Sequence, residues 1–521
     1  MRLVEIRDLD GPNLFLLEPA IKVELALDGA PLSAVEALGQ TVLELHQRAG
    51  ADLPRITVAE METPGQATLA FSWDHRRFAL GIADAIARIA TGETGDLSDA
   101  AARLREIRAE CKADDAPLMI RDTDRRMRAI AVTGTNGKTT TTRLIAHIGR
   151  VAGLRVGWCS SAGVYINGAQ VIEGDYSGPS GARRVLTEPG LDLAVLETAR
   201  GGILLRGVAY ESNDVGVFIN VSADHLDLQG IRTVQGLARV KSIVARVTRP
   251  EGYAVLNADD PLVLAVGETV RARRFLVSRD ERNPAVLAHV AAGGRALVAT
   301  PRELVHLEGG ERATILPLSE VPITFGGRAW HMVENALCAA AACLGIGLDM
   351  QAICEGLRTF RNTPSDNPGR LNVFRVGGAS VILDYAHNEA GLDCLLDFAE
   401  TLKQPGGRVI SIIGTAGDRT AESLRELGRI AARRSEVVIV KGTKKYLRGR
   451  NLEELIGLYV EGIENAGATP YAIEPLELPA TERALEIARP GDVIAIMAQE
   501  QIEEIVSLLQ GRGQAVEALS T

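Results

Sequence analysis

The stretch at positions 134–140 combines two glycines, one lysine and several hydroxyl side chains in a spacing that suits phosphate binding. Glycines let successive backbone N–H groups converge on one anion. A lysine at the start of the next helix can reach the outer phosphates, and a threonine hydroxyl can ligate Mg²⁺. The sequence therefore predicts a nucleoside triphosphate site made of Gly134, Thr135, Asn136, Gly137, Lys138, Thr139 and Thr140.

The flanking residues are those of a strand followed by a helix. The apolar run at 129–132 predicts a buried strand, and from Lys138 onward Leu144 and Ile148 recur at helical spacing. The pattern departs from G-x-x-x-x-G-K-[ST], because Val132 stands where the first glycine belongs. A glycine-rich turn with a surface lysine is the alternative.

Polar side chains also follow two later apolar runs, and these could hold a metal ion. Glu197 ends the run at 193–197, and Asn220, Asp224 and His225 follow the next one. The carboxyl ends of parallel strands meet at one edge of a sheet, so these groups should approach the phosphates. Two alternatives stay open: the glutamate caps a turn, and the histidine is structural, since Mg²⁺ prefers oxygen ligands.

Composition narrows the class of protein. The 521 residues suggest about three domains, and 46% hydrophobic residues suffice for real cores. A net charge of −10 without a long basic run argues against nucleic-acid and acidic-membrane partners. The six cysteines form no CxxC pair, and neither a signal peptide nor an 18-residue apolar run is visible, so we expect a cytoplasmic protein.

Periodicity predicts an α/β chain in three parts. Residues 1–122 mix strand-like runs (LFLLE, IKVELAL, ATLAFSW) with helices, and the charged stretch 121–126 is typical of a linker. Residues 123–364 alternate strand and helix, which predicts a mainly parallel sheet, with a β-rich part at 275–330 and a helical part after it. Residues 365–521 predict a smaller α/β domain with its own sheet.

Several motifs together resemble the Mur ligase superfamily, the ATP-dependent acid–amino acid ligases, and within it the Mur-like module of the cyanophycin synthetases. They are TGTNGKTTTTRLIAHI, GVYINGAQVIEGDYSGP, VLETARGGILLRG, DVGVFINVSADHL, RLNVFRVGGASVILDYAHNEAGL, GDRTAESLRELGRIAARR and LRGR. The opening IRDLDGPNLF resembles the start of the synthetases' N-terminal domain. The resemblance implies an N-terminal α+β domain, a central P-loop ATPase domain and a C-terminal Rossmann-like domain.

The resemblance also implies roles for individual residues around ATP and Mg²⁺. Lys138 is expected on the β- and γ-phosphates, Thr139 on a Mg²⁺, and Glu197 and His225 on metal, the second Mg²⁺ included. Lys241 stands where many such ligases carry a carbamylated lysine, although an ordinary helix lysine is the alternative.

Three further residues are expected to contact ATP. By the same resemblance Asn335 contacts the base, Arg370 a phosphate and Asp384 the ribose, although Arg370 could equally form a hinge salt bridge. The implied reaction converts a carboxylate, expected in an Asp- or Glu-containing acid, to an acyl phosphate. An amino acid then attacks, releasing ADP and phosphate.

Three departures qualify the resemblance. The chain passes from its N-terminal part to the P-loop without room for the synthetases' ATP-grasp module, so it should not polymerise an Asp backbone by itself. Addition of one amino acid to an acidic substrate and work with a separate ATP-grasp protein both stay open, as does the choice between a single conjugate and a chain as product. Lys441, Lys444 and Lys445 precede LRGR, which favours an anionic partner over arginine unless they form a solvated turn. Ala162 stands where the family has a carboxylate.

Three functions remain open at this point. The first is the amide ligase, the second an inactive or regulatory partner of a separate ATP-grasp enzyme, and the third a motor or transport ATPase. The first is favoured because the residues expected to bind phosphate and metal are all present, at 138, 139, 197, 225 and 241. An inactive relative would be expected to have lost some of them. The sequence names neither the acid nor the amine, and it leaves a homo-oligomer open.

Overall fold

The N-terminal part is a four-stranded sheet with helices against it. The computed structural model describes residues 1–93, 96–224 and 226–516 of the chain. The sheet has the order β1-β2-β4-β3 and is antiparallel throughout. Its elements are β1 (Arg2–Leu9), β2 (Ala20–Ala26), α1 (Leu32–Arg48), β3 (Ile56–Glu60), β4 (Gln66–Ser72), α2 (Arg76–Thr91), α3 (Leu97–Ala109) and the 3₁₀ helix Ala113–Asp115.

One strand expectation in this part is wrong. The run LFLLE at 14–18 forms a loop, and the first strand lies earlier, at β1. The Asn13 side chain decides this, since its Oδ1 accepts the N–H groups of Phe15 and Leu16 at 3.0 and 3.1 Å. Local side-chain bonds of this kind compete with strand formation. The strands expected at IKVELAL and ATLAFSW are confirmed as β2 and β4.

The central part is built on a large sheet of the order β15-β14-β13-β12-β11-β10-β5-β9-β6-β7-β8. Pairing is parallel from β13 to β6 and antiparallel at both ends, so the expected mainly parallel sheet is confirmed. Its elements are β5 (Arg128–Thr133), α4 (Lys138–Val151), β6 (Val156–Ser160), β7 (Gly163–Ile166), β8 (Ala169–Glu173), α5 (Pro179–Leu186), β9 (Leu193–Glu197), α6 (Arg200–Arg206), β10 (Asn213–Phe218), α7 (Val234–Arg246), β11 (Thr248–Asn257), α8 (Pro261–Val266), β12 (Arg273–Ser278), α9 (Pro284–Ala291), β13 (Arg295–Ala299), β14 (Glu303–Glu308), β15 (Glu311–Pro317), the 3₁₀ helices Leu318–Glu320 and Pro322–Thr324, α10 (Trp330–Gly345) and α11 (Met350–Thr359).

The C-terminal part has a second sheet of the order β20-β19-β18-β21-β17-β16-β22. Strands β17 to β20 and β21 pair in parallel, whereas β16 and β22 are antiparallel. Its elements are β16 (Asn372–Val376), β17 (Ala379–Asp384), α12 (Glu389–Leu402), β18 (Val409–Ile413), α13 (Ala421–Arg434), β19 (Val437–Lys441), α14 (Leu452–Asn465), β20 (Ala472–Glu474), α15 (Glu477–Ile487), β21 (Val493–Met497), α16 (Ile502–Arg512) and β22 (Gln514–Val516).

The charged stretch at 121–126 is held tightly against the central sheet. The Asp122 carboxylate accepts the Ser212 hydroxyl and pairs with Arg249 at 3.1 Å, and the Arg125 guanidinium is buried against Asp214. The predicted linker is thus an ordered segment.

No described helix combines the length and apolarity that a membrane crossing needs.

Candidate active site

A cavity of about 710 Å³ lies between the central and C-terminal parts, at the carboxyl ends of the central parallel strands. The turn before α4 forms one wall. Residues that precede β16 and residues that follow β17, β18, β19 and β21 form the other. This is where open α/β sheets bind ligands, because loops diverge there and helix N-termini point into the gap.

The turn at 134–137 has the shape of a phosphate-binding loop. Gly137 has a φ of +85° and leads directly into α4, so glycine is favoured there. The Lys138 Nζ donates to the Thr135 carbonyl at 2.7 Å, folding back over the loop. Burial lowers the pKa of Lys138, against the opposing effect of Glu197 and Asp224. The Lys138 side chain thus lies in a dry site, where electrostatic attraction to a bound anion is stronger than in water.

The side chains of Thr139 and Glu197 meet at the start of α4. The Thr139 hydroxyl donates to the Glu197 carboxylate at 3.2 Å, and the same carboxylate accepts the Ser161 N–H at 3.2 Å. Burial raises the pKa of Glu197, although Lys138 and Arg370 partly offset this. A buried carboxylate beside a hydroxyl is the oxygen donor set that suits Mg²⁺.

The remaining metal ligands of the prediction differ in how the structure places them. His225 lies outside the described residues. Its neighbour Asp224 reaches the C-terminal part, where it forms an ion pair with Arg419 at 2.5 Å and lies 3.9 Å from His387. Among the described residues no group of three or more His, Cys, Asp and Glu side chains is arranged to hold a metal ion.

Lys241 lies beneath the phosphate-binding loop on α7. Its Nζ donates to the Gly134 carbonyl at 2.7 Å, and the side chain is 3% exposed. Burial, with a contribution from the charge of Lys138, holds its pKa well below the ordinary value. As a neutral amine it offers only a nitrogen, which Mg²⁺ binds poorly, whereas its carbamate would offer the oxygen ligands that Mg²⁺ prefers.

Arg370 and Asp384 lie on the C-terminal wall of the cavity. The Arg370 guanidinium stacks 4.2 Å from the Tyr385 ring centre and donates to the Thr139 hydroxyl at 3.5 Å. Asp384 accepts the backbone N–H groups of Leu371 and Ala386, each at 2.8 Å. Burial raises the pKa of Asp384 to about 6.

Asn335 is buried against the loop. Its amide packs on Gly137, accepts the Thr141 hydroxyl at 3.4 Å, and still lines the cavity. Its neighbour Glu334 also lines the cavity and accepts the Asn220 Nδ2 at 2.9 Å. Asn220 Oδ1 in turn accepts N–H groups from the loop at 3.2 and 3.0 Å, so this pair orients the loop.

The lysines before LRGR are divided between core and surface. Lys441 is buried and pairs with Glu477 at 2.6 Å, so it faces no substrate. Lys444 and Lys445 are exposed, and their backbone N–H groups bind Glu500. The predicted anionic partner can therefore meet only the latter two.

Sequence reasoning missed further lining residues, including Asp175, Glu334, Arg279 and Tyr446. Asp175 lies in the turn GDYSGP after β8, and this turn is a sequence signal that could have pointed to it. No periodicity could find the others, because they reach the cavity only through pairing between distant elements.

Two family models match the chain along most of this architecture. The model described as Mur ligase middle domain matches residues 132–343, and the one described as Mur ligase, glutamate ligase domain matches residues 369–499. The chain belongs to the Mur ligase family. The predicted Mur ligase fold and resemblance are thereby confirmed.

Among curated proteins, the chain is similar to cyanophycin synthetase from Synechocystis sp. The two are 42% identical over 392 residues, which is 75% of this chain and 44% of that synthetase. The chain thus spans less than half the length of the synthetases it matches.

Two solved structures share the fold. A pseudomurein peptide ligase type C from Methanothermus fervidus superimposes with a TM-score of 0.52 at 19% identity, over 80% of this chain and 84% of its own. A bifunctional folylpolyglutamate synthase/dihydrofolate synthase with Mn, AMPPNP and L-glutamate bound superimposes with a TM-score of 0.54 at 22% identity. The match covers 74% of this chain and 89% of that chain.

Proposed function

We propose that the chain is an ATP-dependent acid–amino acid ligase that forms an amide through an acyl phosphate. The observation that carries the proposal is the cavity, in which Lys138, Thr139 and Glu197 of the central part face Arg370 of the C-terminal part. Family membership supports it, as does the related structure that holds a nucleotide analogue, a divalent metal and an amino acid together.

The first step transfers the γ-phosphoryl group of ATP to the carboxylate of the acid. Such transfer depends on alignment and charge neutralisation more than on covalent help from the protein. Lys138 and Arg370 lie on opposite walls of the cavity and provide positive charge from both sides. Closure between the two walls excludes water, which protects the acyl phosphate from hydrolysis.

Two Mg²⁺ ions fit the proposed reaction. When bound, they neutralise charge that develops on the transferring phosphoryl group. Thr139 and Glu197 are the proposed ligands of one ion, and His225 and Lys241 in its carbamylated form those of the second. Asn335, Arg370 and Asp384 are proposed to contact the base, a phosphate and the ribose of ATP.

The substrates are proposed by class. The acid is an Asp- or Glu-containing carboxylate, and the amine is an amino acid that need not be arginine, because Lys444 and Lys445 put positive charge near the C-terminal wall. One addition per acceptor is expected, either alone or next to a separate ATP-grasp protein.

The test measures ADP and phosphate release from Mg-ATP by the purified chain. A panel of Asp- and Glu-containing acids is offered with and without each amino acid, and products are identified by mass spectrometry. We expect release that needs one acid and one amine, with a product that has lost one water. The Lys138→Ala variant is the matched negative control.

Two outcomes contradict the proposal. Phosphate release that ignores every acid and amine indicates an ATPase. Nucleotide binding without any turnover across the panel indicates a regulatory partner subunit.

A further inference from the structure

Six carboxylates line the cavity among the described residues, and in five of them both oxygens have a protein partner. Each of the five accepts hydrogen bonds from backbone or side-chain donors close by. They are Glu197, Asp259, Asp260, Glu334 and Asp384. Both oxygens of each of these carboxylates thus already have a protein partner.

Asp175 is the sixth, and it differs from the others. It is exposed and lies between β8 and α5, where its Oδ1 accepts the Ser177 N–H at 3.0 Å and the Ser177 hydroxyl at 2.7 Å. Its Oδ2 makes no hydrogen bond or ion pair to any residue that the structure describes. The turn thus fixes the carboxylate at the cavity wall and leaves its second oxygen free to bind a ligand.

The charge of Asp175 acts at the phosphate end of the cavity. Burial dominates the lowered pKa of Lys138, and Asp175 is among the charges that oppose it. Burial likewise raises the pKa of Tyr385, and Asp175 adds to that rise. The next residue, Tyr176, donates its N–H to the Ser160 carbonyl at 3.0 Å, and the N–H of Ser161 binds Glu197, so Asp175 lines the cavity beside the proposed phosphate site.

The positive charge of the proposed phosphate site disfavours binding of an incoming amine. At neutral pH it arrives as an ammonium ion, which cannot attack and is repelled by Lys138 and Arg370. A carboxylate with a free oxygen offsets the repulsion, because it attracts the cation. It can also accept the proton, which gives the neutral amine that attacks.

We propose that Asp175 binds the ammonium group of the amine substrate and accepts its proton, an inference that rests on the proposed ligase function. The freed amine nitrogen forms a C–N bond to the acyl carbon while the C–O bond to phosphate breaks. The second N–H proton leaves with phosphate, and Asp175 returns its proton to water. Asp175 is then a catalytic residue of the second half-reaction alone.

The test compares Asp175→Asn with wild type in the two half-reactions. Asparagine keeps the acceptor for Ser177 and loses the charge, so the turn should be preserved. Trapping the acyl phosphate with hydroxylamine reports the first step, since this weak base is largely neutral at neutral pH. Amide formation with the natural amine reports the second.

We expect Asp175→Asn to keep hydroxamate formation within about threefold and to lose amide formation by about 100-fold near neutral pH. Amide formation should recover as pH rises above the pKa of the amine, where the neutral form is supplied by the solvent. The control Glu173→Gln removes an exposed carboxylate of β8 that does not line the cavity, and it should match wild type.

The outcomes separate this inference from the proposed function. Amide formation by Asp175→Asn equal to wild type, or an equal pH-independent loss in both half-reactions, overturns the role of Asp175 alone. Absence of acid-dependent hydroxamate and of amide in wild type overturns the ligase function, and the role of Asp175 with it.

Discussion

Burial determines the chemistry of the two lysines under the phosphate-binding loop. Burial lowers the pKa of Lys138 while Glu197 and Asp224 oppose this, whereas the pKa of Lys241 is held well below the ordinary value by burial and by the charge of Lys138. Carbon dioxide adds only to a neutral amine. The environment of Lys241 therefore favours the predicted carbamate.

The first prediction concerns Lys241→Arg. A guanidinium cannot form a carbamate, so ligation should fall at least about 10-fold. In ¹³C NMR with labelled bicarbonate, wild type should show a carbamate signal that the variant lacks. Lys444→Arg, on the surface, is the control. Full activity of Lys241→Arg would show that the lysine has a structural role only.

Glu334 makes stability depend on pH. Burial raises its pKa to about 7, above the value of 4.5 in an unfolded chain. The folded state therefore holds a proton that the unfolded state has released, and the free energy of unfolding falls as pH rises between these values.

The second prediction follows from Glu334. Relative to Glu334→Gln, wild type should lose up to about 3 kcal/mol of stability between about pH 5 and pH 8. Urea denaturation at several pH values measures this difference. Curves for the two proteins that stay parallel over the whole range would contradict it.

At the scale of elements, α4 is held by packing against α10 and α11. Gly356 on α11 allows this approach, since an added Cβ would lie 2.6 Å from Ile148 Cγ1 and 2.9 Å from Ile148 Cα. Backbone that close cannot move aside cheaply. The position of the phosphate-binding loop thus depends on a glycine more than two hundred positions away in the sequence.

The third prediction is that Gly356→Ala destabilises the protein by about 1–3 kcal/mol. The control is Gly457→Ala on α14, where nothing lies within 4 Å of the added Cβ. That change should stabilise by about 0.5–1 kcal/mol, because alanine favours helices over glycine. Denaturation midpoints that shift in the same direction for both variants would refute the packing argument.

At the scale of the whole molecule, contacts across the cavity join the central and C-terminal parts. The amides of Asn136 and Asn388 donate to each other at 3.2 and 3.1 Å, and Asp224 pairs with Arg419. The phosphate-binding loop therefore touches the opposite wall directly. Nucleotide binding and closure of the two parts should be coupled.

The fourth prediction uses Asn388→Asp. Aspartate keeps the cap of α12, where residue 388 accepts the Gly391 N–H at 2.8 Å, but it cannot donate to Asn136. We expect the Kd for an ATP analogue to rise about fivefold, which corresponds to about 1 kcal/mol, with little change in Tm. Titration calorimetry measures the Kd, and Asn451→Asp, the cap of α14, is the control. An unchanged Kd would contradict the coupling.

The sequence by itself determined the local elements that build the site. Strand β5, the glycine turn and helix α4 follow from apolar periodicity and from the glycines, which are local properties. The same holds for Glu197 at the end of β9 and for the strands of the C-terminal sheet. Its one wrong strand, at 14–18, arose where a single asparagine side chain outweighed an apolar run.

Only the tertiary structure decided which side chains meet across the cavity. Asn136 and Asn388 are far apart in the chain, as are Asp224 and Arg419, and no local pattern relates them. The same is true of Glu334 against Asn220, and of the free oxygen of Asp175. Such contacts depend on how whole sheets and helices pack against each other. The hydrophobic periodicity of a single segment carries no information about that packing.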